Sequence, residues 1–244
     1  MREKLICEFL GTLLLVTTVV GSGIMATRLS GGNDAIALLG NTLATGAILY
    51  VLISIFGTIS GAHFNPAVSV VMALKGELNK SSLTPYICVQ IIGGVCGTFL
   101  AHLMFETPIL QLSENLRSGM FQYISEMVAT FGLVLTILLG SRYKPDAVAM
   151  LVALYITAAY WFTASTSFAN PAVTIARTLT DSFSGIHFED TGYFILSVVF
   201  ALPDLSALVT VPIAIIDEGA ELNVSDADDA FTLLVVNPLP LDII

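Results

Sequence analysis

The stretch SGAHFNPAVSVV, residues 60–71, has a partner further along the chain, SFANPAVTIART, residues 167–178. Both contain Asn-Pro-Ala-Val within a long apolar region, where Asn and Pro are poor choices for a continuous helix. Asn is, however, favoured just before a helix, and Pro is tolerated at the first helical position because its missing N–H would be unpaired there. Each motif therefore predicts the start of a short helix, at about residues 66–75 and 171–180.

The composition indicates whether these motifs lie in a water-soluble protein or in a membrane protein. Of 244 residues, 55% are hydrophobic and 11% are charged, whereas ordinary soluble domains are roughly 25% charged. Apolar stretches long enough to cross a bilayer, roughly 20 helical residues, recur along the chain. The composition therefore indicates a membrane protein. We predict membrane spans at about residues 6–27, 35–56, 84–105, 121–141, 146–166 and 192–216, of which the last is the weakest.

A cleaved signal peptide is the alternative for the first span, because the charged MREK precedes an apolar segment. We favour a span, since Glu8 interrupts that segment and no clear small-residue cleavage site follows. Lys and Arg favour cytoplasmic loops, and their placement predicts a cytoplasmic N-terminus. With that orientation Arg2, Lys4, Lys75, Lys80, Arg142 and Lys144 lie inside, and Arg28, Arg117 and Arg177 lie outside.

The two halves of the chain repeat one another. The first span holds Glu8 and Thr12, and the fourth holds Glu126 and Thr130, each pair one helical turn apart. Each is followed by a second span and then by Asn-Pro-Ala-Val. Because each half has three spans, the second half enters the membrane from the opposite side, and the halves are inverted repeats.

Interrupted apolar segments at matching places in inverted repeats indicate a binding or conduction site near the middle of the membrane. Residues 35–74 and 147–176 contain no Asp, Glu, Lys or Arg, so each is long enough for a span and a half-span. Irregular backbone at membrane depth is tolerated only where it is buried in protein or faces water. Two such loops, entering from opposite sides, predict a pore.

On these motifs the chain resembles the aquaporin, or major intrinsic protein, family over about residues 1–197. The resemblance implies an all-α membrane protein, with six transmembrane helices and two re-entrant half-helices in an inverted repeat, assembled as a homotetramer. Repeat one covers about 5–105, and repeat two covers about 120–197 and continues into an uncertain sixth helix to 216. The acidic tail, 217–244, is predicted to be disordered.

The resemblance also implies a passive channel of the inner (plasma) membrane for water and small neutral solutes. Its asparagines would donate hydrogen bonds to the passing solute, and the partial positive charge at each half-helix N-terminus would oppose ions and protons. The residues implied in these two motifs are Asn65, Pro66 and Ala67, with Asn170, Pro171 and Ala172.

The family usually places Arg directly after the second motif, but Val173 stands there. Counting from the motifs puts the other selectivity-filter positions at Thr45, Ala158 and Ser167. These four residues make a wide, weakly polar filter, which predicts passage of glycerol-like polyols as well as water. The run TASTSFANPAVTIARTLTDSFSGI, residues 163–186, resembles a bacterial branch often associated with arsenic resistance, which adds arsenous acid as a candidate solute.

Four polar residues beside this predicted pore have two interpretations each. Arg177 is either a displaced cation barrier or an arginine that extends to the membrane surface, and we favour the surface. Glu8 and Glu126 would belong to an ion pathway or, as the resemblance implies, accept hydrogen bonds from the re-entrant loops, which we favour. His63 either lines the vestibule or bonds loop backbone.

Nothing in the sequence supports catalysis: no nucleophile spacing and no phosphate-binding loop are present. We expect no enzyme activity, cofactor, metal site or nucleic-acid partner, and we expect lipid around the chain. Cys7, Cys88 and Cys96 are expected to be free thiols. The two alternatives to a channel are a defective or non-conducting family member and a secondary transporter with a site at the middle of the membrane.

The C-terminal part departs from the repeat. Residues 178–244 hold eleven of the nineteen acidic residues and no Lys or Arg. Aligning Tyr86 with Tyr193 sets Gly93 against Phe200, so a small packing position becomes large. We hypothesise that the reading frame or gene end is altered near residue 197.

Overall fold

The computed structural model describes residues 1–202, and this part of the chain is helical. In the described part of the chain, eight α-helices follow the order of the two repeats, and two of them are the predicted half-helices. They are α1 (Arg2–Leu29), α2 (Asp34–Ser60), α3 (Pro66–Leu74), α4 (Lys80–Met104), α5 (Met120–Tyr143), α6 (Val148–Phe162), α7 (Pro171–Arg177) and α8 (Phe188–Phe200). A short 3₁₀ turn, Pro145–Ala147, leads into α6.

Within residues 1–202, five stretches are long and apolar enough to cross a membrane: α1, α2, α4, α5 and the 3₁₀ turn continued by α6. They agree with the first five predicted spans. α8 begins at Phe188, before the predicted residue 192, and ends at Phe200. The remainder of the sixth predicted span, together with the acidic tail at 217–244, lies outside the described residues.

The packing of the helices follows the repeat. α1 packs against α2 and α4, and α5 packs against α6 and α8, while α2 meets α6 across the molecule. The half-helices α3 and α7 begin at the predicted Pro66 and Pro171, and each ends slightly before its predicted end. α3 and α7 contact each other, so the two halves of the chain meet at their half-helices.

Glycines allow α1 and α4 to approach closely. A Cβ atom at Gly93 would lie 2.5 Å from the carbonyl oxygen of Phe9, and a Cβ at Gly97 would collide with the carbonyl of Leu13. In a lipid environment the hydrophobic effect does not favour association of helices. Small residues at helix crossings instead let the backbones approach closely and pack. The aligned position in α8, Phe200, is instead 62% exposed, so repeat two lacks this contact there.

Candidate functional site

The two Asn-Pro-Ala motifs start α3 and α7 in the same way. The side-chain oxygen of Asn65 accepts a hydrogen bond from the Ala67 amide at 2.9 Å, and that of Asn170 accepts from the Ala172 amide at 3.0 Å. In each case Pro occupies the first helical position. Both asparagines are therefore N-caps, as the sequence predicts.

The side-chain amide nitrogens of the two asparagines join the halves. The nitrogen of Asn65 donates to the carbonyl of Ala169 at 2.7 Å, and that of Asn170 donates to the carbonyl of Phe64 at 2.8 Å. Each asparagine thus binds the residue that precedes the other. The N-termini of α3 and α7 meet at this reciprocal pair of hydrogen bonds.

The backbone before each asparagine has matching irregular geometry. Phe64 and Ala169 have φ of 48° and 45°, and Ala62 and Ser167 two residues earlier both have φ of 51°. Positive φ costs a residue with a side chain on the order of 1–3 kcal/mol. This conformation turns the carbonyls of Phe64 and Ala169 towards the opposite asparagine, so the strain is part of the site.

Buried carboxylates hold these strained loops. Glu8 of α1 accepts hydrogen bonds from the backbone amides of His63 at 3.0 Å and Phe64 at 2.7 Å. Glu126 of α5 accepts from the amides of Phe168 at 2.9 Å and Ala169 at 2.8 Å. Both carboxylates are fully buried. Of the two interpretations of these carboxylates, this geometry favours support of the re-entrant loops.

The first carboxylate has more support than the second. Glu8 also accepts from the Ser60 hydroxyl at 2.7 Å and from the Gln90 side-chain amide at 2.8 Å. Gln90 aligns with Ser197 of α8, whose hydroxyl donates to its own helix at the Tyr193 carbonyl. The network around the first loop therefore ties together α1, α2 and α4, whereas α8 makes no such bond to Glu126 among the described residues.

An elongated cavity of about 290 Å³ passes the two asparagines. From their meeting point it extends along α3 to Met72 and Glu77, which we term the α3 end, and along α7 to Val173 and Arg177, the α7 end. Aliphatic side chains of α1, α2, α5 and α6 form one side of its wall. They are Leu15, Val19, Leu49, Ile53, Leu133, Ile137, Val148, Val152 and Ile156.

His63 lies on the wall of this cavity, and its ring Nδ1 is 3.0 Å from the Ser69 hydroxyl. The ring also packs beside Tyr86, with centroids 5.4 Å apart. The side chain therefore faces the cavity and is held by a side chain of α3, while only its backbone amide bonds to Glu8. Of the two interpretations of this residue, the structure favours the vestibule.

Three of the four predicted filter residues line the α7 end: Thr45, Ser167 and Val173. Each is buried within the protein. The Ser167 hydroxyl has no hydrogen-bond partner among the described residues, and the Thr45 hydroxyl donates to its own helix at the Asn41 carbonyl. The site is thus polar at two positions and apolar at Val173.

The prediction of Ala158 as the fourth filter residue is wrong. Ala158 lies on the exposed side of α6, whereas Val152, Ile156 and Tyr160 face the cavity. The hydroxyl of Tyr160 lies 3.4 Å from that of Thr45. The count failed because the loop before α7, residues 163–170, is longer than the loop before α3, residues 61–65. The spacing of four between 152, 156 and 160 was the available signal for the correct face.

The favoured interpretation of Arg177 is also wrong. Its side chain is 2% exposed and lines the α7 end, rather than extending to the surface. Its Nε donates to the carbonyl of Ser184, and its guanidinium carbon lies 3.5 Å from the centroid of the Phe168 ring. Burial here is decided by the segment after α7, which folds back over the arginine.

Neighbouring elements fix α7 in place. Thr98 of α4 donates to the carbonyl of Ala176 at 3.0 Å, and the His102 ring lies 2.9 Å from the Thr180 hydroxyl. The loop between α4 and α5 adds Arg117, which donates to the carbonyls of Gly185 and Phe183. Hydrogen bonds from α4 and from the loop between α4 and α5 therefore hold α7 and the segment after it in position.

Comparisons with known proteins agree with this geometry. A family model described as "Major intrinsic protein" matches residues 1–147. The chain is 56% identical over 197 residues to the aquaglyceroporin AqpS of Rhizobium meliloti, covering 81% of this chain and 84% of that protein. It is 34% identical over 165 residues to a glycerol uptake facilitator protein of Streptococcus pneumoniae, covering 60% and 68% of the two chains.

A solved structure shares the fold. The X-ray structure of the aquaglyceroporin from Plasmodium falciparum superposes with a TM-score of 0.67 at 20% identity, covering 88% of this chain and 98% of that one. This likeness confirms the predicted all-helical fold class.

Proposed function

Because this chain belongs to the major intrinsic protein family, we propose that it is a passive membrane channel for water and glycerol-like solutes. The observation that carries this proposal is the cavity, since it runs from the α3 end to the α7 end past both asparagines. The family consists of channels and not of enzymes, in agreement with the sequence. The chain is a multi-pass membrane protein.

The asparagines are suited to pass hydrogen-bonding solutes in single file. An Asn side-chain amide has two N–H donors, and in each motif one of them is used by the opposite loop. The side-chain oxygens are used by the caps. The remaining N–H of Asn65 and of Asn170 can serve a solute oxygen in the cavity.

Ions and protons are excluded, on this proposal, at the point where α3 and α7 meet. Each helix N-terminus carries a partial positive charge of about half a unit, and the two N-termini converge beside the cavity. A cation must leave its water shell there against two positive ends. A neutral solute that accepts hydrogen bonds incurs no such cost.

The finer solute range follows from Val173. A short apolar side chain stands where the family usually has Arg, and Thr45 and Ser167 complete a weakly polar wall. We propose that small triols pass, namely glycerol and arsenous acid, which have similar shapes. Tyr160 limits the width from the other side, with its hydroxyl 3.4 Å from that of Thr45.

We further propose a homotetramer in the inner (plasma) membrane with the N-terminus in the cytoplasm. The outward faces of the helices carry large apolar residues such as Leu14, Leu43, Ile55 and Leu154. Faces of this kind suit lipid tails or a second copy of the chain.

Stopped-flow swelling and shrinking of proteoliposomes tests the channel proposal. We expect water, glycerol and arsenous acid to cross with a low activation energy and without saturation or ion coupling. Saturable or ion-coupled uptake would indicate a secondary transporter. Permeability equal to that of protein-free vesicles would refute conduction and support a non-conducting family member.

A further inference from the structure

Arg177 occupies the α7 end of the cavity without belonging to either Asn-Pro-Ala motif. It lies four residues after Val173, which places the two side chains on the same face of α7, one turn apart. Both line the cavity. We propose that Arg177 is a selectivity residue of this channel, supplying from one turn further out the positive charge that is missing at position 173. The inference rests on the proposed channel function.

The guanidinium is held in one orientation. Its Nε donates to the carbonyl of Ser184, and its carbon lies 3.5 Å from the centre of the Phe168 ring. A cation over an aromatic face is attracted by the ring, and more strongly where water is excluded. Ser184 and Phe168 are themselves buried. The arginine is therefore a fixed part of the wall and not a mobile surface group.

Arg177 forms no ion pair in the described part of the chain, although Glu126 lies within electrostatic reach of it. The ion pair found within residues 1–202 joins Lys75 and Glu77, which lies at the α3 end. The buried carboxylate on this side, Glu126, is bonded to the loop amides of Phe168 and Ala169. A buried charge that is not paired projects its potential into the adjoining low-dielectric cavity.

A second arginine strengthens this potential. The guanidinium carbon of Arg117 lies 5.1 Å from the centre of the same Phe168 ring. Burial lowers the pKa of Arg117, but arginine stays protonated in proteins. Two arginines therefore flank one ring at the α7 end, although the filter position itself carries valine.

Arg177 also has hydrogen-bond donors to spare. A guanidinium carries five N–H donors, and within residues 1–202 Arg177 uses one of them on the protein, from Nε to the carbonyl of Ser184. The terminal nitrogens can therefore donate to the hydroxyl oxygens of a polyol that enters at this end. On this proposal, Val173 leaves the cavity wide at the filter position, and Arg177 supplies the positive charge and the hydrogen-bond donors one turn further along α7.

The test compares cation flux with glycerol flux in proteoliposomes of Arg177→Met, Arg177→Lys and the wild-type chain. Methionine has a similar length without the charge, and lysine keeps the charge. We expect Arg177→Met to raise the ratio of methylammonium flux to glycerol flux by roughly tenfold, because removal of a buried positive charge lowers the electrostatic barrier to a cation at this end. Arg177→Lys is expected to keep most of the exclusion.

Arg142→Met is the matched control. Arg142 also stacks on an aromatic ring, with its guanidinium carbon 5.5 Å from the Tyr143 ring centre, but it is exposed and does not line the cavity. Its ratio should equal that of the wild-type chain. Size-exclusion chromatography checks that each variant is folded, and Arg177→Gln replaces Arg177→Met if the latter does not fold.

The outcomes separate this inference from the channel proposal. A folded Arg177→Met or Arg177→Gln channel with the wild-type flux ratio would overturn the role of Arg177 while leaving the channel intact. An equal rise in Arg177→Lys would also overturn it, because shape rather than charge would then be responsible. A wild-type chain that conducts neither water nor glycerol would overturn both proposals.

Discussion

The side-chain amides of Asn65 and Asn170 each donate a hydrogen bond to the residue before the other asparagine, Ala169 and Phe64, at 2.7 and 2.8 Å. One pair of identical contacts therefore holds the two re-entrant loops together at the middle of the cavity. The contacts are buried, so removal of either asparagine leaves a carbonyl without its partner.

Asn170→Ala is expected to destabilise the protein by about 2–4 kcal/mol, because it removes an N-cap and leaves the Phe64 carbonyl unpaired. Water flux should fall at the same time, since the loops are no longer tied together. Thermal unfolding in detergent and stopped-flow shrinking measure the two effects. Asn79→Ala is the matched control: Asn79 caps α4 at an exposed site and should cost only about 1 kcal/mol. Equal losses for the two variants would contradict the role of the cross-link.

Glu8→Gln is expected to destabilise more than Glu126→Gln. Glu8 accepts from two loop amides, the Ser60 hydroxyl and the Gln90 amide, and glutamine would set its own amide against one of these donors. We expect a loss of about 2–3 kcal/mol or more for Glu8→Gln, since hydrogen bonds to buried charges are worth about 1.5–3 kcal/mol each.

The measurement for this pair is again the midpoint of thermal unfolding. Glu114→Gln is the control, because Glu114 is exposed, and it should change the midpoint very little. A larger loss in Glu126→Gln than in Glu8→Gln would show that the extra partners of Glu8 contribute nothing.

Val173→Arg is expected to narrow the α7 end and to lower glycerol flux by about tenfold or more, while water still passes. One extra or missing methylene in an apolar pocket changes discrimination by about 1–3 kcal/mol, and arginine exceeds valine by more than one methylene. Val173→Ala should keep or increase glycerol flux because it widens the same position. Stopped-flow measurements with water and glycerol give the ratio directly, and unchanged glycerol flux in Val173→Arg would refute the filter role of this residue.

Gly93→Ala is expected to destabilise the protein by about 1–3 kcal/mol through overpacking. A Cβ at Gly93 meets the backbone of Phe9 in α1, which cannot move aside as a side chain would. Gly192→Ala is a close control, because a Cβ there meets nothing within 4 Å and alanine favours a helix by about 1 kcal/mol. Thermal unfolding should therefore give opposite signs for the two variants.

The parts of the fold that local chemistry controls could be predicted from the sequence. An Asn directly before Pro-Ala favours the start of a helix in any context, so the sequence predicts the starts of both half-helices correctly at Asn65 and Asn170. The carboxylates Glu8 and Glu126 could be paired because their helices repeat the same spacing. Apolar length alone located the first five spans.

The misplaced residues depend on tertiary packing. Ala158 was chosen by counting through a loop whose length differs between the repeats, so the count ended on the wrong face of α6. The sequence predicts a surface position for Arg177 because the segment that buries it, which contains Ser184, leaves no mark in the spacing of apolar residues. Tyr160 was missed for the first reason, although the spacing of Val152, Ile156 and Tyr160 marks one face.

The positive backbone angles of Phe64 and Ala169 have a consequence for biosynthesis. The Phe64 carbonyl finds its partner in Asn170, and the Ala169 carbonyl finds its partner in Asn65. The central contact therefore needs both halves of the chain, and it can form only after the second half has been synthesised.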